Sequence, residues 1–260
     1  MKKYLSVLIS LLFILSFFGI ASILAATGGP DNFGYTFIDS NDDPLLQSYY
    51  PWIEIKGIGA PATYSYCLIG NCDDCYKIDV PLGFNFNYYG TNYNKVNIMS
   101  NGWINFNVPG IWFQTTTFPH NDPYIDPISV YGRDLYPCCN DSFVYYATVM
   151  RGGRRVFVVE YYQVPDCCGC GETYERHTFQ VQLYEGLNNI VFVYKTTSGD
   201  AAFIGIEGKD QTDGLTYMAV GDPGDGTVVL FRYPGSPQYP PQKQIPITQI
   251  LKILKENQED

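Results

Sequence analysis

Two runs of alternating side chains meet at a pair of glycines, and that meeting confines the chain to a small set of folds. Phe143-Val-Tyr-Tyr-Ala-Thr-Val149 leads into Arg151-Gly-Gly-Arg-Arg155, and Val156-Phe-Val-Val-Glu-Tyr-Tyr-Gln-Val164 leads out. β-Branched and aromatic residues at period two read as strands, and the Gly-Gly between them reads as a hairpin turn. A second hairpin is expected from Thr178–Tyr184, a turn through Glu185–Asn189, and Ile190–Lys195. Further strands are expected at Val80–Tyr89, Val96–Phe106, Ala202–Ile206 and Thr227–Phe231. Gly, Asn, Asp and Pro stand at most junctions, as turns require. The expected fold class is all-β, an antiparallel β-sandwich or jelly-roll-like domain with disulfides and a short C-terminal helix.

The ends of the chain differ from this pattern. Lys2 and Lys3 precede an uncharged run from Tyr4 to Leu24, followed by Ala25-Ala26. A basic start, an apolar stretch and a small-residue exit predict a signal peptide over residues 1–26, or an N-terminal anchor if it is retained. The β-sandwich domain is expected over 27–233. Residues 234–247 carry Pro234, Pro237, Pro240, Pro241 and Pro246 and read as an extended linker. Residues 248–260 read as a short amphipathic helix with Ile250, Leu251 and Leu254 on one face. Such a helix needs a surface to pack on.

An exported chain sets the reading of its eight cysteines: Cys67, Cys72, Cys75, then Cys138, Cys139, then Cys167, Cys168, Cys170. An even count in an oxidising compartment predicts disulfides, with zinc thiolates at Cys72-x-x-Cys75 and the Cys167-Cys168-x-Cys170 group as the rival. Pairing about Gly152-Gly153 sets residue i opposite 305 − i, so Cys138 faces Cys167 and Cys139 lies beside it. At least one bridge is therefore expected from Cys138 or Cys139 to Cys167 or Cys168.

The chemistry-bearing residues are few. With a formal charge of −10 the chain lacks the basic stripes of a nucleic-acid binder. Of two histidines, His120 stands near Asp122 and Asp126 in a proline-punctuated loop, a spacing open to a metal or to a plain turn. His177, among Glu172, Glu175 and Arg176, reads as part of a solvated turn. No nucleophile elbow, His-Glu-x-x-His or phosphate loop occurs, so no catalytic residues are assigned. Calcium is the one cofactor considered, with Asp39, Asn41 and Asp43 at alternate positions as candidates, although Pro44 stands where a calcium loop wants glycine. Asp73-Asp74, Asp210 with Asp213, and Asp222 with Asp225 form further acidic turns. Asn140-Asp-Ser142 is a formal glycosylation acceptor.

Tyrosine accounts for 23 residues. Most are expected in the core or in cross-strand pairs. Trp103 with Trp112, or Tyr49, Tyr50 and Trp52, are candidate platforms for a glycan or a partner. The expected partners are other surface proteins or further copies of the chain, with glycans second. A membrane is expected only through an uncleaved N-terminal segment.

Several segments carry a resemblance. They are Gly34-Tyr-Thr-Phe-Ile-Asp39, Tyr50-Pro-Trp-Ile-Glu-Ile55, Pro81-Leu-Gly-Phe-Asn-Phe-Asn-Tyr-Tyr-Gly90, Ser100-Asn-Gly-Trp-Ile-Asn-Phe106, Phe157-Val-Val-Glu-Tyr161, Thr178-Phe-Gln-Val-Gln-Leu-Tyr184 and Ala202-Phe-Ile-Gly-Ile-Glu207. In this order they resemble nidogen-like β-sandwich domains of extracellular matrix proteins, and related modules of prokaryotic surface proteins and secreted proteases. The resemblance spans residues 33 to 233. It implies an extracellular, non-catalytic module of adhesion or surface architecture, with no catalytic set to carry over. Ile128-Ser-Val-Tyr-Gly-Arg-Asp-Leu135 departs from the family's aromatic-acidic stretch, and the cysteine groups look like additions at loops. A secreted or cell-surface structural or adhesive protein is the leading expectation. A carbohydrate-binding module comes next, then a secreted hydrolase.

Overall fold

The computed structural model describes residues 27–70, 72–112, 117–121, 126–171, 174–199 and 202–240. The expected signal segment and C-terminal helix lie outside them. In chain order the elements are β1 (Thr27–Gly28), β2 (Thr36–Asp39), α1 (Leu46–Tyr49), β3 (Ala60–Pro61), β4 (Tyr66–Ile69), β5 (Asp73–Tyr88), β6 (Thr91–Met99), β7 (Trp103–Asn105) and β8 (Ile128–Gly132). They continue as β9 (Phe143–Arg151), β10 (Arg154–Pro165), β11 (Arg176–Tyr184), β12 (Ile190–Thr196), β13 (Phe203–Glu207), β14 (Gly214–Met218) and β15 (Val228–Arg232).

The central hairpin forms as its turn dictates. Gly152 and Gly153 both take positive φ, the conformation of a two-residue turn matched to strand twist. Arg154 pairs with Arg151 and Tyr162 with Phe143, so the register about the glycines holds along the whole ladder. Around it the strands close two antiparallel sheets. Sheet one runs β1-β2-β15-β12-β11-β10-β9-β3, and sheet two runs β14-β13-β8-β7-β6-β5-β4. Their facing sides share one core, with Phe157, Val159 and Tyr161 of β10 and Phe179, Val181 and Leu183 of β11 packed in one cluster with Leu82, Phe86, Ile98, Ile104 and Val130 of sheet two. The Val96–Phe106 run divides into β6 and β7 at a tight turn. There Gly102 has φ +79°, and a Cβ would sit 2.0 Å from the Tyr131 carbonyl oxygen. Only glycine lets β7 and β8 approach so closely.

β10 and β11 are buried almost without interruption, on both faces of sheet one. The segment from α1 to Ile55 lies over the outer side of sheet one. Leu46, Tyr50 and Ile55 pack there on Val156, Val158, Val191 and Leu230. The start of the expected linker joins this cover. The Tyr50 hydroxyl donates to the Gln238 carbonyl at 2.7 Å, and Tyr239 stacks on Tyr49 with centroids 4.4 Å apart.

Candidate functional site at the cysteine pole

All eight cysteines converge at one end of the sandwich and all are bridged. Cys67–Cys75 joins a directly opposed pair on β4 and β5. Cys72–Cys138, with Cα atoms 5.3 Å apart, ties the start of β5 in sheet two to the approach to β9 in sheet one. Cys139–Cys170 and Cys167–Cys168 complete the set. The second and third cysteine groups therefore meet, but not through the expected partners. The hairpin register ends at Tyr162–Phe143, and beyond it the next bridge is Leu135 with Asp166. A turn from Cys139 to Ser142 takes up the intervening residues, with Ser142 N donating to the Cys139 carbonyl at 3.0 Å. The extrapolated register thus fails by four residues. Cys170, not Cys167 or Cys168, meets Cys139, and Cys138 is left to Cys72.

Beside these bridges the rims of both sheets bound a groove of about 580 Å³, lined by Pro61, Tyr64, Tyr66, Cys67, Pro137 and Phe143 among others. β4 forms its outer wall and ends sheet two, with no further strand beyond it among the described residues. Tyr66, Leu68 and Ile69 on this edge are all exposed. The Tyr64 hydroxyl is buried without a hydrogen-bond partner. Among the described residues the groove's lining contains neither a histidine nor a carboxylate.

Behind the groove the same pole gathers charge. One carboxylate oxygen from each of Asp73, Asp74 and Asp134 lies within 4.8 Å of the other two. Asn101 Nδ2 donates to Asp74 Oδ1 at 2.8 Å and fixes that side chain. Burial, then the neighbouring Asp74 charge, push the Asp73 carboxyl up; burial, then Asp74, Asp73 and Asp166, push Asp134 up. Asp166 belongs to a separate arrangement. Arg133 Nη2 donates to it at 2.6 Å, and His177 Nε2 lies 2.9 Å from its other oxygen. His177 is fully buried, which corrects the solvated-turn reading: β11 begins at Arg176, so His177 is already a strand residue opposite Val164.

The remaining sequence candidates are dispersed. Asp39 is buried and accepts from Asn41 N at 2.9 Å, Asn41 Nδ2 at 3.1 Å and the Tyr217 hydroxyl at 2.8 Å, so its oxygens hold a turn. Asp43 accepts from Leu45 N at 3.2 Å and from Gln238 and Tyr239. His120 and Asp126 take different partners: His120 N donates to Glu207 Oε1 at 2.5 Å, whereas Asp126 accepts from Phe106 N at 3.1 Å and from Asn107. Asp122 lies outside the described residues. Asp222 and Asp225 take the Thr197 hydroxyl and backbone N–H as turn-forming acceptors. The two tryptophans do not form a shared platform. Trp103 is fully buried and donates from Nε1 to the Trp112 carbonyl at 2.9 Å, while Trp112 is 52% exposed. Tyr50 is core, and Asn140 is exposed. Sequence reasoning offered Asp73-Asp74 as one of several acidic turns weighed for calcium and missed Asp134, because nothing in linear spacing joins the start of β5 to the segment that follows β8.

With two antiparallel sheets and their cystine pole established, the family comparison becomes decisive. The family model described as NIDO related matches residues 51–229, more than half of the chain. The chain belongs to the NIDO-related family. The match runs from the cover over sheet one through the start of β15, so it takes in the groove, the cystine pole and the acidic triad. No curated protein and no solved structure matches the chain. NIDO-related membership and four disulfides are together consistent with an extracellular module.

Proposed function

We propose that this NIDO-related chain is a non-catalytic extracellular structural module that works by contact, pairing its β4 edge and the adjoining groove with an extended segment of a neighbouring copy. The observation that carries the reading is the exposed, uncharged β4 edge. Tyr66, Cys67, Leu68 and Ile69 present no Lys, Glu or Pro, the residues with which sheet edges are usually blunted. A strand added there gains main-chain hydrogen bonds, and the tyrosine-lined groove beside it receives alternate side chains. A lining without histidine or carboxylate favours contact over hydrolysis. The burial of Trp103 removes half of the glycan platform.

Light scattering of the non-reduced protein over a concentration series tests this directly. Assemblies that dissociate in a Leu68→Lys/Ile69→Lys double variant of unchanged circular dichroism are expected. A monodisperse monomer for both proteins across the series overturns the edge-pairing reading.

A further inference from the structure

We propose that Asp73, Asp74 and Asp134 form a calcium site of the low-affinity extracellular kind. Three oxygens within 4.8 Å of one another make a cluster but not yet a site. The second observation is Asp73 itself. It is only 5% exposed, yet its Oδ1 has no hydrogen-bond partner. A buried carboxylate oxygen left unpaired is costly unless a cation completes it. The cations at this pole are engaged elsewhere: Arg133 lies 2.6 Å from Asp166 and Arg176 lies 2.9 Å from Asp141.

The donor set selects the ion. All three ligands are hard oxygens, and the neighbouring Cys167 and Cys168 are bonded to each other, so no thiolate is offered to zinc. Asp74 and Asp134 are half-exposed, which leaves one side for the water ligands that a six- to eight-coordinate calcium ion takes. Magnesium demands a tighter octahedron than three carboxylates from two separate segments supply. The scaffold also holds the ligands in place. Cys72 adjoins Asp73 and is bridged to Cys138, in the segment that carries Asp134. Asn101 holds Asp74 at 2.8 Å, and the Asp134 carbonyl accepts from Cys167 N at 2.9 Å.

The test is calorimetric titration of the full non-reduced chain with calcium chloride, alongside thermal melts in calcium, in magnesium and in chelator. One saturable site is expected, with a Kd on the order of 10⁻⁴–10⁻³ M and a melt that rises with calcium. Asp134→Asn, at a half-exposed position, should weaken binding by at least about tenfold, because ligand charge sets affinity. Asp73→Asn should abolish the calcium-dependent rise while raising the melt in chelator, since it relieves repulsion inside the triad. A purely structural cluster would not produce that opposite pair of effects. No binding up to about 10 mM, well above the range for such modules, overturns the site. So does an equal response to magnesium, or a Kd unchanged in Asp134→Asn.

Discussion

The tyrosines show what a side chain's tip adds to its bulk. Several phenols reach across the sandwich to carbonyls of the opposite sheet. Tyr161 of β10 meets the Met99 oxygen at 2.7 Å and the Trp103 oxygen at 3.2 Å, and Tyr194 of β12 meets the Val130 oxygen at 2.6 Å. Their rings fill the core while their hydroxyls donate to turn and strand carbonyls of the facing sheet. Burial pushes both phenols well above their ordinary pKa, so they remain donors. Tyr64 is the contrast, since its buried hydroxyl has no partner. Tyr161→Phe should therefore cost about 1–3 kcal/mol, the penalty for orphaning a buried acceptor, whereas Tyr64→Phe should be neutral or stabilising by up to about 1 kcal/mol. Denaturant unfolding of the two variants checks the contrast, and equal losses would refute it. The abundance of tyrosine and its place in the core were legible in the sequence. Which hydroxyl finds which carbonyl was not, because those partners lie on the other sheet.

Among the elements, sheet one carries a polar device on its covered face. Glu160 and Gln180 are directly opposed on β10 and β11, and Gln180 Nε2 donates to Glu160 Oε2 at 2.9 Å and to the Ile53 carbonyl at 2.7 Å. Gln182 Nε2 donates to the Pro51 carbonyl at 3.1 Å, and the Tyr184 hydroxyl donates to Gln182 at 2.8 Å. This row pins the Pro51–Ile55 segment over the sheet. Its residues fall at alternate positions, so the sequence shows them as an outward polar row. Nothing local reveals that a segment more than a hundred residues upstream covers it. The cover has an electrostatic cost: burial lifts the Glu160 carboxyl to about 6. A raised acid favours the folded state when protonated, so its contribution is full below the ordinary value of about 4.3 and is lost as pH rises through about 6. Glu160→Gln keeps the shape and removes the charge. Relative to the parent, the variant should gain about 1–2 kcal/mol between pH 4.5 and pH 7, at roughly 1.4 kcal/mol per pKa unit. Unfolding curves for the two proteins at stepped pH decide it, and a constant difference across that range would refute the assignment.

For the molecule as a whole, the resemblance and the period-two runs disclosed the β-sandwich, and the register about Gly152-Gly153 is the one that forms. What failed was carrying that register past Phe143, where the Cys139–Ser142 turn takes the chain out of the ladder. The consequence is global, because freeing Cys138 from the hairpin lets it reach Cys72 and clamp the two sheets together across 66 residues of sequence. Cys67–Cys75 spans only 8 residues between strands already paired. Closing the longer loop restrains the unfolded chain more, by about 4 kcal/mol against about 2.5 kcal/mol on the chain-entropy estimate. The Cys72→Ser/Cys138→Ser variant should therefore be the less stable of the two double variants, and it alone should loosen the spacing of Asp73 and Asp134. Thermal unfolding of both, each shown by mass to retain its other three bridges, tests the order. If removing Cys67–Cys75 proves the more damaging, the clamp between sheets is not what holds this pole together.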